Sequence, residues 1–220
     1  MRRLLLAFVF MSLPALSLAG EEGSGDRPHW SLELKGGTFF PALPNWSSFY
    51  GSSHTSEFGG SVAYKVFRQI EVGAEGTYLS ANGNGQALLH GSVPAQASPV
   101  SYELIPLNVF ILMRGIINED QLLVPYLGGG WTRMFYREEV KGQNLTVKGS
   151  TNGYHFRGGV QLLLDKIDPD SAKSFYTEFH IRHTYFFTEA KYTSATAGTN
   201  PSGSVNLGGP SYLGGLLFEF

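Results

Sequence analysis

Two histidines three residues apart, His180 and His183, are the first residues of this chain whose type and spacing suggest chemistry. If they sit on a strand, positions i and i+3 face opposite ways. The pair then cannot share a metal ion without a bulge. His180 is expected to hydrogen-bond a carboxylate, and His183 to lie near the outer interface. There is no cysteine to supply a thiolate. A hydrolase would need a serine nucleophile beside a histidine and an acid, and no Gly-x-Ser-x-Gly run occurs. Gly128-Gly129-Gly130 lacks the lysine and helix that follow a phosphate loop, which leaves close strand packing as its reading. Asn45-Trp46-Ser47 and Asn144-Leu145-Thr146 fit the glycosylation pattern and are read as chance matches. No catalytic residue, metal ligand or cofactor site is assigned.

The larger set of reactive side chains consists of charges that alternate with apolar residues. Glu33 and Lys35 alternate with Leu32 and Leu34, and Glu71 and Glu75 with Val72 and Ala74. Arg157 and Gln161 oppose Phe156 and Val160, and Glu178, His180 and Arg182 oppose Phe179 and Ile181. Side chains of a strand point alternately to its two faces. Glu33, Lys35, Glu71, Glu75, Arg157, Glu178, His180 and Arg182 therefore form one polar face, with Arg114 and Glu219 as further candidates. In a barrel of about eight strands the interior is only wide enough for side chains to fill, and charges buried there must pair. The expected outcome is a Glu/Arg/Lys network that plugs a lumen and leaves no wide water channel.

The elements that would hold these residues are strands. Eight segments have strand character: Trp30–Phe39, about Ser56–Val66, Ile70–Leu79, about Val100–Gly115, Pro125 to about Arg137, Tyr154–Leu164, Ser174 to about Thr188, and about Val205–Phe220. Each reaches the ~9–11 residues that a tilted strand needs to cross a bilayer. Pro106 cannot donate to a ladder and is expected at an edge-like or bulged position. Long connections follow strands one, three, five and seven (40–55, 80–99, 138–153, 189–204). Short ones follow strands two, four and six (67–69, 116–124, 165–173). A sandwich has no reason to place every long loop at one end. A barrel of the outer membrane does, with long external loops and short periplasmic turns.

Composition bounds the alternatives. Arg2 and Arg3, the apolar run Leu4–Leu13 and small residues at Ser17 and Ala19 read as a signal peptide over residues 1–19. Residues 20–28 form a short leader, and 29–220 a single barrel domain. Removing Arg2 and Arg3 takes the formal net charge from −2 to −4, so there is no basic field for nucleic acid. Past the signal, no apolar run is long enough for a helical span. Aromatic girdle candidates are Trp30, Trp46, Trp131, Phe135, Tyr154, Phe175, Tyr185, Phe186, Phe187, Tyr212, Phe218 and Phe220. The soluble alternative is a lipocalin-like barrel, which would line its cavity with the apolar set and show the charges to water. Alternation alone does not choose between the two; the loop asymmetry and the closing residues do.

Those closing residues are Tyr212, Leu216, Phe218 and Phe220, on one face of the last segment with Gly214, while Ser211, Gly215 and Glu219 take the other. The signal, eight strands, loop alternation and final Phe218-Glu219-Phe220 together resemble the small eight-stranded outer-membrane barrels, of the OmpA transmembrane-domain, OmpX and OmpW type. Ile105-Pro106-Leu107-Asn108 and Pro125 to Gly130 look like the middle of that superfamily. The resemblance implies an all-β, up-and-down antiparallel barrel integral to the bacterial outer membrane. It implies contact with membrane lipids and lipopolysaccharide, and recognition of the closing strand by the barrel-assembly machinery. Relatives of this type include porin-like transport proteins, adhesins, anchors and lipid A-modifying enzymes. One deacylase family carries a His-x-Ser-Asn run on a lipid-facing strand; His183-Thr184-Tyr185-Phe186 departs from it at both the Ser and the Asn. The function expected is therefore non-enzymatic: structure, surface interaction through the external loops, and binding or passage of a small apolar molecule. A lipid A-modifying enzyme is the alternative.

Overall fold

The computed structural model describes residues 28–84, 99–118, 121–140, 145–199 and 203–220. The expected signal peptide and all of the leader but Pro28 lie outside the described residues. Seven long strands form one antiparallel sheet: β1 (Trp30–Phe39), β2 (Thr55–Phe67), β3 (Ile70–Asn84), β4 (Pro99–Arg114), β5 (Leu123–Val140), β6 (Leu145–Leu163) and β7 (His183–Thr199). The eighth position is shared by β8 (Gly203–Asn206) and β9 (Gly209–Glu219). Both pieces follow one register along β7, from Thr196↔Asn206 to Thr193↔Gly209 and on to His183↔Glu219, so they act as one strand interrupted at Leu207-Gly208. β9 also pairs with β1, which closes an eight-stranded barrel.

Following paired residues around the wall from Trp30, through Tyr64, Val72, Ile111, Gly129, Phe156, Tyr192 and Pro210, returns to β1 at Phe40, whose amide donates to the Pro210 carbonyl. The trace thus climbs from residue 30 to residue 40 in one circuit. That stagger sets the strand tilt near ~40°. With only eight strands the barrel is narrow, so inward positions cannot all carry large side chains. A Cβ on Gly130 would lie 1.9 Å from the Val109 carbonyl oxygen. Gly215 lies between Lys35 and Phe187 in the ladder, and its missing side chain lets the ammonium come within 5.4 Å of that ring.

Pro106 sits in the middle of β4, faces the lumen and pairs with Met134. On its other side the β3–β4 ladder breaks off after Gly76↔Leu107 and resumes at Leu79↔Leu104 in the same register. The missing N–H is accommodated by a gap, with neither the edge nor the bulge expected.

Two helices depart from the expected pattern. α1 (Trp46–Tyr50) lies on the connection after β1, flanked by left-handed Asn45 and Gly51. Trp46 and Tyr50 are buried there with Phe39, Leu43, Leu79, Tyr102 and Leu104, an apolar cluster that fills the end of the lumen opposite Phe220. Trp46 is therefore a plug residue, and Tyr185 and Phe187 also face inward, contrary to their girdle assignment. α2 (Pro169–Phe179) replaces the first half of the expected seventh strand. Asp168 caps it, accepting from the Ser171 amide at 3.0 Å and its hydroxyl at 2.7 Å, which holds the Asp168 carboxyl below its usual range. Pro169 supplies the first turn, where a missing N–H costs nothing. The seventh strand starts only at His183. Much of the sequence expected as the third and fourth external loops, 138–153 and 189–204, is ladder instead.

Candidate functional site

The two faces of the wall differ in kind. The rim beside Phe220, called periplasmic after the register expected from the sequence, is marked outside by Trp30, Ile70, Met113, Leu123, Leu162, Phe186 and Phe218. Above it, no outward position among the described residues is charged until Glu103 and Arg133. From Leu123 to Arg133, β5 climbs about 25 Å at ~3.3 Å per residue and this tilt, the height of the apolar band of a transmembrane barrel. The inward face carries the charges. Glu33, Lys35, Glu57, Glu71, Glu75, Arg114, Arg157, Glu189, Lys191 and Glu219 are all buried.

Glu75 on β3 is the hub. Its Oε2 accepts from Lys35 Nζ at 2.6 Å and Arg157 Nη1 at 2.8 Å; its Oε1 accepts from Asn108 Nδ2 at 2.8 Å and Lys191 Nζ at 2.9 Å. Five strands (β1, β3, β4, β6 and β7) meet at this one carboxylate. Glu33 takes Lys35 at 2.8 Å and the Ser61 hydroxyl at 2.6 Å. Glu189 takes the Tyr126 hydroxyl at 3.0 Å and pairs with Arg157 Nε at 3.2 Å. Glu57 takes Lys191 at 2.7 Å and the Ser211 hydroxyl at 2.6 Å. The Arg157 guanidinium also lies 4.1 Å from the centre of the Phe110 ring. Four carboxylates thus share three cations, and each cation touches at least two carboxylates. That dense pairing offsets the desolvation of so many buried charges. A second cluster lies nearer the periplasm. Arg114 joins Glu71 at 2.8 Å and also contacts Glu219, to which Lys65 adds a 2.6 Å pair.

Of the residues the sequence placed in the lumen, Glu33, Lys35, Glu71, Glu75 and Arg157 lie in these networks, joined by Arg114 and Glu219. Glu178, His180 and Arg182 do not, because the strand that was to carry them is a helix. Glu178 is exposed on α2, and exposed His180 is its left-handed C-cap at φ 59°. Arg182 lies at the periplasmic mouth, with its amide donating to the Glu219 carbonyl and its guanidinium 5.9 Å from the Tyr176 ring. Sequence reading missed Glu57, Lys65, Glu189 and Lys191. Glu57 and Lys65 show in the alternation against Phe58, Val62 and Tyr64. Glu189 and Lys191 alternate with Thr188, Ala190 and Tyr192, beyond the expected end of the strand.

Nothing in this arrangement resembles a hydrolytic site. His183 Nδ1 lies 2.9 Å from Asp165, whose other oxygen accepts the Thr184 amide at 3.0 Å, a brace at the foot of β6 and β7. Two residues after His183 stands Tyr185 rather than a serine, and the His183–Asp165 pair lies at the end of the wall that holds Phe220. Among the described residues no three His, Asp or Glu converge on a point suited to a metal. On the closing strand, Tyr212, Leu216, Phe218 and Phe220 lie on the outward side, and the Phe220 amide donates to the Trp30 carbonyl at 2.9 Å.

No protein-family model matches the chain, and no curated protein matches it in sequence. Solved structures do match in fold. Neisserial surface protein A superposes with a TM-score of 0.56 over 89% of this chain and 100% of its own, at 11% identity. The outer membrane protein OprG of Pseudomonas aeruginosa superposes with a TM-score of 0.59 over 89% of this chain and 98% of its own, at 12% identity. An apolar outer wall, a charged and filled interior and these two superpositions lead to one statement: the chain has the fold of the small eight-stranded outer-membrane β-barrels.

Proposed function

We propose that this protein is an integral barrel of the bacterial outer membrane, exported by its N-terminal signal, with a structural and surface-interaction role and no catalytic activity. The observation that carries this reading is the inversion of polarity across the wall: an uncharged belt about 25 Å tall outside and a paired charge network inside. A lipocalin-like barrel would have the opposite arrangement. The filled lumen argues against a general porin. The apolar cluster beneath α1 is the candidate place for a small apolar molecule, and the external ends of the strands are the candidate contact for a surface partner. Lipopolysaccharide and phospholipid would surround the belt, and the closing strand would be the segment read by the barrel-assembly machinery.

The mature protein is expected to require detergent, to run in a compact form on an unheated gel and to shift on heating. A protein that stays monomeric and folded in plain buffer would overturn the reading. Lipid A from cells with and without the protein is expected to have the same mass; a gained or lost acyl chain would establish the enzymatic alternative. Deleting Phe220 removes its backbone bonds to His29 and Trp30 at the closing seam. It is expected to lower the amount of heat-shifting barrel recovered from outer membranes. Unchanged recovery would refute the role given to the closing residue.

A further inference from the structure

Helix α2 carries an apolar face that the protein leaves largely uncovered, with only the Arg182 guanidinium near it, 5.9 Å from the Tyr176 ring. Ala172, Phe175, Tyr176 and Phe179 recur at i, i+3, i+4 and i+7, with polar residues filling the opposite arc. A surface helix of this pattern ordinarily turns its stripe to the core. In α2 no residue is buried, and Phe179 is 58% exposed. The other two turns at this end show the same trait: Phe67, the last residue of β2, is 66% exposed and Ile117 after β4 is 79% exposed. The three turns are spaced around the barrel, so the apolar fringe is a ring. A protein partner fits one patch, whereas a bilayer meets a ring. The fringe also continues the outer belt, whose last large apolar residues on β6 and β7 are Leu162 and Phe186.

We propose that α2 is an interfacial anchor lying in the headgroup region of the periplasmic leaflet, with Phe175 and Phe179 at the acyl edge and Lys173 and Arg182 at the level of the lipid phosphates. Aromatic residues on one face and cations flanking them are the composition that such helices use. The proposal rests on the membrane reading above, and its test separates the two.

The chain has no cysteine, so single cysteines can be introduced and spin-labelled without background. Phe175→Cys and Phe179→Cys on the stripe, Thr177→Cys and Glu178→Cys on the polar face, and Val160→Cys on the belt would each be made in the mature chain. The proteins would be refolded into vesicles of phosphatidylcholine and phosphatidylglycerol. Collision with oxygen, which concentrates in lipid, is compared with collision with a water-soluble nickel chelate. The oxygen-to-nickel ratio is expected to be several-fold higher at positions 175 and 179 than at 177 and 178, approaching that at 160. A lipid-like label at 160 with all four helix labels in water would overturn the anchor and leave the barrel standing. Labels at 175 and 179 shielded from both reagents would place the stripe against protein, which also overturns it. A water-exposed label at 160 would instead overturn the membrane reading itself.

Discussion

Replacing Arg157 by alanine is expected to destabilise the barrel by about 3–5 kcal/mol, the cost of breaking a buried ion network by removing one member. Arg157 contacts Glu33, Glu75 and Glu189 together and packs on the Phe110 ring. Without it, four buried carboxylates share two lysines, and the guanidinium volume is left empty. The denaturant midpoint of the refolded protein in detergent reads the effect. Adding Glu189→Gln to Arg157→Ala removes one of the uncompensated carboxylates, while the new amide oxygen can still accept from Tyr126. The double variant should therefore recover part of the loss. A single variant with an unchanged midpoint would mean that the network contributes nothing to stability, contrary to the role given to it here.

The second large effect comes from the other side of the wall. Val109 lies mid-belt on β4 between Leu107 and Ile111 and is 51% exposed. For a barrel in water, Val109→Arg would be an ordinary surface change within about ±0.5 kcal/mol. In lipid the same substitution places a guanidinium near the bilayer midplane, at a cost of roughly 2–4 kcal/mol. Unfolding from phospholipid vesicles should show that loss. Glu103→Gln, at the top of the belt, should show far less, because charge there already meets headgroups and water. Equal tolerance at both positions would contradict the assignment of the belt to lipid.

These two variants rest on features of unequal legibility. The alternation that sends Glu33, Lys35, Glu71, Glu75 and Arg157 inward is a local property, since a strand turns every second side chain to the same face. It could be read from the sequence because the boundaries of those strands were placed well enough. The β6–β7 connection was misread because Phe175, Thr177, Phe179 and Ile181 also alternate with period two, which imitates a strand. The competing signal was present: Asp168 before Pro169 is a helix start, and Phe175, Tyr176 and Phe179 fit the helical spacing as well as the extended one. Moving the strand start from Ser174 to His183 removes Glu178, His180 and Arg182 from the lumen set and brings in Glu189 and Lys191. Glu75 as a hub was not legible. Its four donors come from residues 35, 108, 157 and 191, and only the register around the closed barrel brings them to one carboxylate. The burial of Trp46 and Tyr50 likewise depends on a connection folding back into the mouth, which no periodicity announces.

The β5–β6 pair has a mechanical consequence. Its ladder holds register without a break from Leu123↔Leu162 to Val140↔Leu145. The 18 residues of β5 span about 60 Å along the strand, or roughly 45 Å along the barrel axis at this tilt. In the membrane reading proposed above, about 25 Å of that lies in the hydrocarbon belt. Some 20 Å of hydrogen-bonded ribbon would then stand clear of the bilayer. A partner approaching that end would meet a stiff mast, whose height is fixed by strand length, before it met lipid.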